Sequence, residues 1–271
     1  MANLFTIGTA GTTTYKNLGI ALSAAQGLTM LHLPNSNYVS GTSLQNLANP
    51  TAAASTIHGA PTFTNSLMQI NTGGTDYLTS VFQDSGGDLT GYCVMKNLDT
   101  LASGTTQPIM ISNYGSDSAH GAIPSGSKGV SLRAQNTTQC GIVDYELISG
   151  ASTVRQANQT VTNIASGWHA YAFTIASTGA LTITLTFYDL TDGVNANNAT
   201  TTATSRAWNA AQVFTMGANA SLAGYGLAQF AFFALCQSVV GGGGAHSPAQ
   251  VNQNYLDIQA IMANLPSPIT V

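Results

Sequence analysis

Charge is what this sequence lacks most. Of its 271 residues only 6 % are Asp, Glu, Lys or Arg, against roughly 25 % in an average globular chain. The polar surface must therefore be made of Thr, Ser, Asn, Gln and Gly, and such a surface gives little repulsion between copies. The six basic residues, Lys16, Lys96, Lys128, Arg133, Arg155 and Arg206, stand singly. Without a basic cluster, sequence-independent binding to nucleic acid has no electrostatic basis. The three cysteines are widely spaced and form no CxxC, so they read as buried free thiols rather than a metal or disulfide framework. The histidines His32, His58, His120, His169 and His246 show neither HxH nor HExxH spacing. No GxSxG occurs, and Gly126-Ser127-Lys128 lacks the Gly-Lys-Ser/Thr order of a phosphate loop. No apolar run reaches the length of about 18 residues that a membrane-spanning helix needs. The N-terminal MANLFTIGTAGTTTYK has no basic head before an apolar stretch, so a Sec-type signal is not expected.

The chain is nevertheless 44 % hydrophobic, enough to build a core rather than a disordered tract. Its most legible stretch runs from Trp168 to Leu190. His169, Tyr171, Phe173 and Ile175 alternate with Trp168, Ala170, Ala172 and Thr174. Leu181, Ile183, Leu185 and Phe187 then alternate with Thr182, Thr184, Thr186 and Tyr188. Side chains along a strand point alternately to opposite faces, so each run can set one apolar face on a core. The small residues between the runs suit a hairpin loop. Further strands are expected at Gly27 to Leu33, Phe63 to Ile70, Leu89 to Leu98, Gln107 to Ser112, Val130 to Gln135, Gly141 to Ile148, Thr153 to Ala157, Gln212 to Met216 and Ala228 to Leu235, with Asn71, Gly73 and Gly74 breaking the pattern before Asp76-Tyr77-Leu78. Asn35 to Pro61 reads as a turn-rich surface excursion, and Asp189 to Arg206 as a polar loop. Residues 1–27 read as an arm or as a lead-in strand, with a single sandwich domain over 28–271.

One helix is expected, over about 248–263. Ser247 is a good N-cap, Pro248 suits the first helical position, and Gln250 completes a capping box. Val251, Tyr255, Ile258 and Met262 recur on one face, so the helix should lie on the sheets as a lid.

Three stretches in this order resemble the concanavalin A-like lectin/glucanase jelly roll in its laminin-G-like form: GAPTFTNSLMQINTGGTDYL (Gly59 to Leu78), SGWHAYAFTI with GALTITLTFYD, and AQFAFFALCQSVV with SPAQVNQNYLDI. The resemblance covers about residues 28 to 265 and implies an all-β antiparallel sandwich with one C-terminal helix. The family's hairpin usually closes on Tyr-Val-Asp-Gly, whereas here Phe187 to Gly193 is longer. Together with the low charge and the Thr/Asn/Ala-rich texture, the chain also resembles a lectin-like virion protein of a tailed bacteriophage.

Glycosidases of this fold carry paired carboxylates, often Glu-x-Asp-x-x-Glu. The chain has a single glutamate, Glu146, so that motif is absent. The nearest substitute is Asp144-Tyr145-Glu146, whose carboxylates would lie about 6–7 Å apart on one strand face, near the separations used in glycoside hydrolysis. In that role Glu146 would be the proton donor and Asp144 the nucleophile or base. The competing reading is a solvent-facing strand side, with Val143, Tyr145 and Leu147 inward. Many lectins of this fold use Ca2+, which needs several oxygen ligands. Asp189, Asp192 and Asn195 could supply them, with Asp76 or Asp88 as other candidates, although such residues also form turns. Otherwise no cofactor is expected. For sugar binding, the aromatic and amide candidates are Trp208, Tyr114, Tyr225, Asn195 and Asn197.

The leading expectation is therefore a non-enzymatic virion surface protein, a capsid decoration or tail-fibre component. It would assemble as a homo-oligomer, a trimer by resemblance, with other virion proteins and with host glycans as partners, and without inserting into a membrane. The alternatives are a secreted or surface carbohydrate-binding module and a glycan-active hydrolase or lyase using Asp144 and Glu146.

Overall fold

A computed structural model describes residues 22–49, 53–99, 107–116, 127–136, 139–148, 151–161, 164, 167–177, 182–200, 208–209, 211–219, 226–238 and 244–271. In chain order the strands begin with Leu28–His32 (β1), Val39–Ser40 (β2), Ser43–Leu44 (β3), Ser55–His58 (β4), Thr62–Phe63 (β5), Met68–Gln69 (β6), Tyr77–Gln83 (β7), Leu89–Asn97 (β8) and Ile109–Ser112 (β9). They continue with Gly115–Ser116 (β10), Ser127–Asn136 (β11), Gln139–Ile148 (β12), Ala151–Thr160 (β13), Trp168–Ser177 (β14), Ile183–Asp189 (β15), Val194–Thr200 (β16), Val213–Met216 (β17) and Ala228–Gln237 (β18). The helix Pro248–Ala263 (α1) follows.

Among the described residues these strands form two antiparallel sheets. The first runs β16-β15-β14-β8-β18-β6-β5, with β1 also on β18; the second runs β13-β12-β11-β9-β17-β7-β4-β3-β2, with β10 on β11. The terminal strands β13 and β16 approach each other where the two sheets close.

The hairpin register sets Tyr171 opposite Asp189, Phe173 opposite Phe187 and Ile175 opposite Leu185. Across the next pairing Tyr171 meets Cys93 and Phe173 meets Gly91. Rows of residues therefore cross the first sheet on its inner face, and Tyr171, Phe173, Phe187 and Leu235 are all buried there. Burying each large apolar side chain contributes about 1.5–3 kcal/mol. Gly91 is required by this packing, because a Cβ there would overlap the Phe173 ring.

The second face of the same strands is buried too. Tyr188, Ala172, Tyr92 and Ala234 form a row on it through successive strand pairings, and each is buried. The helix α1 covers that row, with Val251, Asn254, Ile258, Ile261 and Met262 turned inward. Small residues alternating with tyrosines let the helix approach. Its start is fixed by the expected capping box: Gln250 N–H donates to Ser247 Oγ at 3.3 Å, and Ser247 N–H donates to the Gln250 side chain at 2.8 Å. Such a cap contributes about 1 kcal/mol. The expectation of one apolar hairpin face thus gives way to two, one against the facing sheet and one beneath the lid.

Beneath α1, Tyr92 Oη lies 2.7 Å from His246 Nδ1, and Asn254 Nδ2 donates to Tyr92 Oη at 3.1 Å. The same Asn254 amide exchanges hydrogen bonds with the backbone of Ala24, and Ser23 N–H donates to Asp257 at 2.6 Å. The lead-in from Leu22 is therefore docked on the helix, while residues 1–21 lie outside the described residues.

Two further expectations need correction. Asn35 to Pro61 is not a bare excursion: it holds a 3-10 turn over Ser36–Tyr38 and the strands β2, β3 and β4, and it buries Tyr38, Leu44 and Leu47. Phe63 to Ile70 is not one strand but the hairpin β5–β6, whose turn is held by Leu67 N–H donating to Thr64 Oγ1 at 3.1 Å. The three cysteines are buried free thiols. Burial pushes Cys236 up to about 12 and raises Cys93 and Cys140 as well.

Candidate functional site

The hairpin leads the chain to the edge of the first sheet, and there the polar residues gather. Asp189 ends β15 and faces Val194 at the start of β16, so residues 190–193 form the connecting loop. This corrects the expected polar loop after Asp189, since Val194–Thr200 is a strand. Hydrogen bonds hold the loop. Leu190 N–H donates to Ala170 O at 2.9 Å, Ala170 N–H donates to Thr191 Oγ1 at 2.9 Å, and Asp192 N–H donates to Asp189 Oδ1 at 3.3 Å. Gly193 closes it at φ +67°, a conformation that costs other residues steric strain.

The pleat sends the residues of this loop and its flanks to two sides of the sheet. On the inner side, Asp189 shares a face with Tyr171 and is fully buried. His169 lies beside it, 3 % exposed, with Nδ1 at 3.3 and 3.2 Å from Asp189 Oδ1 and Oδ2. The imidazole stacks on the Tyr171 ring at a centroid distance of 5.5 Å. Tyr171 in turn hydrogen-bonds the Cys140 thiol of the facing sheet, and burial holds its phenol well above the usual range. Asp192 completes the group from the loop: one ligand atom from each of His169, Asp189 and Asp192 lies within 4.8 Å of the others.

On the helix side, a cleft of about 150 Å³ lies between the loop and the head of α1. It is lined by Tyr188, Asp189, Leu190, Gly193, Val194, Asn195, Pro248 and Asn252. Tyr188 is its buried floor, and burial raises its hydroxyl against the opposing pull of hydrogen bonds with Thr174 and Thr186. Asn195 and Asn252 are exposed at the rim. Asn195 is opposite Tyr188 and Asn197 opposite Thr186, so both amides share the Tyr188 face, away from the Asp189 carboxylate.

The expected cation set is therefore split. Asp189 and Asp192 come together, Asn195 goes to the other side, and His169 takes its place. Asp76 and Asp88 have other tasks. Asp76 accepts backbone N–H bonds from Ala60, Asn71 and Thr72, each at 2.9 Å. Asp88 accepts from Ser177 at 2.9 Å and Gly244 at 3.2 Å, tying two distant segments to β8.

Trp208 is half-buried with its indole against Gly86. Tyr114 is half-buried beside the same junction, where the Asn209 amide donates to the carbonyls of Asn113 and Gly115 at 3.2 and 3.0 Å. That junction belongs to the second sheet, so these rings are not grouped with Asn195 and Asn197. Tyr225 lies outside the described residues. Asp144 and Glu146 are on β12, opposite Arg155 and Thr153 of β13. Cys140 and Ile142, which precede them in the alternation, are fully buried. The expectation that Val143, Tyr145 and Leu147 turn inward, with Asp144 and Glu146 outward, falls on residues 143–148. Their side chains lie outside the described part of the chain.

The site residue missed in the sequence is His169 as a neighbour of Asp189. The alternating runs implied a hairpin but left its register open, and register decides which residue of β14 stands beside Asp189.

No protein-family model matches this sequence, and no curated protein does. Solved structures do. The botulinum neurotoxin serotype D binding domain aligns with a TM-score of 0.55 at 8 % identity, over 85 % of this chain and 50 % of that one. The receptor binding domain of botulinum neurotoxin mosaic serotype C/D gives 0.55 at 9 %, over 86 % and 51 %. An endo-1,3-beta-glucanase from Streptomyces sioyaensis gives 0.45 at 13 %, over 79 % and 97 %. The chain spans about half the length of the two neurotoxin domains, and at these identities the likeness is one of fold. By that measure and by its own topology, the chain is an antiparallel β-sandwich of the jelly-roll kind with one C-terminal helix.

Proposed function

We propose that this chain is a non-catalytic recognition domain that takes a neutral glycan end in the cleft between the 188–195 segment and the head of α1. Its setting in this reading is the surface of a tailed-bacteriophage-type particle, as capsid decoration or tail fibre, in a symmetric homo-oligomer such as a trimer.

The observation that carries the reading is the composition of the cleft. The Tyr188 ring forms its floor and the amides of Asn195 and Asn252 stand at its rim. An amide both donates and accepts, which suits sugar hydroxyls. The carboxylate of Asp189, on the lining strand, is turned into the sandwich beside His169. At about 150 Å³ the cleft is below the usual range for larger ligands, so it suits one terminal ring rather than a long polymer. That the neurotoxin domain of similar fold is a receptor binding domain is consistent with this. The particle setting is supported by the near-absence of charge, which allows close packing of copies. A glycan-cleaving reading would rest on Asp144 and Glu146, two residues apart along β12.

A glycan array followed by calorimetry with neutral oligosaccharides tests the proposal. Binding should be lost or weakened about tenfold, or roughly 1.4 kcal/mol, in N195A and N252A, and D144N/E146Q should bind as the parent does. Polysaccharide cleavage abolished by D144N/E146Q would overturn the non-catalytic reading, and glycan binding unchanged in N195A and N252A would move the site elsewhere. Solution mass and electron microscopy of co-purifying particles test the assembly.

A further inference from the structure

We infer that His169, Asp189 and Asp192 form a divalent-cation site of the imidazole-accepting class, for Zn2+ or Mn2+ rather than Ca2+. The inference stands independently of whether a glycan binds in the cleft on the other side of the sheet.

The geometry is the first ground. His169 Nδ1 sits at 3.3 and 3.2 Å from the two Asp189 oxygens. A direct N–H···O bond usually closes to about 2.9–3.0 Å and favours one oxygen. Two ligands of one tetrahedral ion, each about 2.0–2.2 Å from it, lie about 3.3–3.5 Å apart. The His169–Asp189 contact is a long one shared between both carboxylate oxygens, and the same separation is one that two ligands of a single ion adopt. The third ligand, the carboxylate of Asp192, closes a set whose atoms all lie within 4.8 Å of one another, a spread that a movement on the order of 1 Å by a loop residue can close to ligand spacing.

The second ground is placement. Asp189 is fully buried and His169 nearly so, and both are held by neighbouring strands of one sheet. Asp192 stands on a loop whose backbone is already tied to Asp189 and Ala170. Two rigid ligands and one surface ligand give an ion a way in. Calcium prefers six to eight oxygens, whereas an imidazole nitrogen with two carboxylates suits Zn2+ and Mn2+. Three protein ligands would leave a further coordination position for water or a ligand oxygen.

The test is calorimetric titration of the full metal-free chain with Zn2+, Mn2+ and Ca2+ separately, with Co2+ as a spectroscopic stand-in. One equivalent of Zn2+ or Mn2+ should bind, Co2+ should give visible absorption bands displaced by Zn2+, and saturation should raise Tm on the order of 5 °C. D192N, which leaves the buried pair in place, should weaken binding by about 10- to 100-fold, at least what loss of an outer-shell partner costs. Its metal-free Tm, equal to that of the parent, keeps the comparison from being one of folding. Binding to D192N as tight as to the parent would overturn the inference, since the ion would then sit on other histidines. So would preferential binding of Ca2+, or no binding of Zn2+ or Mn2+ at millimolar concentration.

Discussion

His32 and His169 both sit in β-strands, both are withdrawn from solvent and both have close polar partners, yet their electrostatic company is opposite. His32 places Nδ1 2.8 Å from Gln45 O and Nε2 2.8 Å from Ser55 Oγ. A backbone carbonyl accepts from one nitrogen and a hydroxyl donates to the other, so the ring is satisfied as a neutral group. Burial then holds it down to about 4, the Gln45 carbonyl pulling the other way. His169 instead faces both oxygens of a buried carboxylate, with a second carboxylate on the adjoining loop. A buried imidazole between neutral partners is part of the frame. One that gathers negative charge at the mouth of a loop is placed to bind something.

The largest effect expected from this contrast is on stability at His169. In H169L the Asp189 carboxylate keeps its burial and loses its imidazole, and breaking such a pair costs about 3–5 kcal/mol. Urea denaturation should show the loss, and H169L/D189L should recover most of it, because removing both partners leaves no stranded charge. A loss below about 1 kcal/mol in H169L would put the two histidines on the same footing.

Next in size is an acid effect that belongs to His32. Its folded value of about 4 lies below the ordinary 6.5, so between those values the unfolded chain binds a proton that the fold does not. The stabilisation is full above pH 6.5 and falls as pH drops towards 4, by about 3 kcal/mol in all. His246, lowered by burial against the Gln26 carbonyl, acts with the same sign. Comparing stability against pH in the parent and in H32Q isolates the His32 share, and parallel curves would mean that His32 is protonated in the fold. S55A should follow with about 1–2 kcal/mol lost at neutral pH, the cost of leaving one buried acceptor nitrogen unpaired.

How much of this was legible beforehand differs between the two histidines for a physical reason. The alternation through Trp168 to Tyr188 and the Ser247-Pro248-Gln250 cap are local signals, and both elements stand where those signals place them. The polar run after Asp189 carries no such signal, because Asn and Ala have weak strand preference. It becomes β16 because the open edge of β15 offers a ladder of backbone partners. The burial of the hairpin on both faces depends on where a helix some 60 residues later comes to rest, which no spacing within the hairpin records. The pairing of His169 with Asp189 depends on register, set by a loop whose length the alternation could not fix. Gly91 shows the same limit: its reason is the Phe173 ring across the strand pair, not a turn.

The smallest stability effect should fall on the residue with the largest expected effect on binding. Asp192 reaches the surface, and the loop around it is held by the backbone N–H of Asp192 itself and by Thr191, none of which D192N removes. In the presence of a chelator, D192N should therefore unfold within about 0.5 kcal/mol of the parent, as surface changes away from packing do. Urea denaturation in EDTA measures this. A loss beyond about 1 kcal/mol would mean that the Asp192 carboxylate braces the loop in the way Asp76 and Asp88 brace theirs, and the contrast with His32 would shrink to one between two structural networks. Stability held in EDTA, with the gap between parent and D192N opening only when Zn2+ is added, would assign the carboxylate to the ion rather than to the fold.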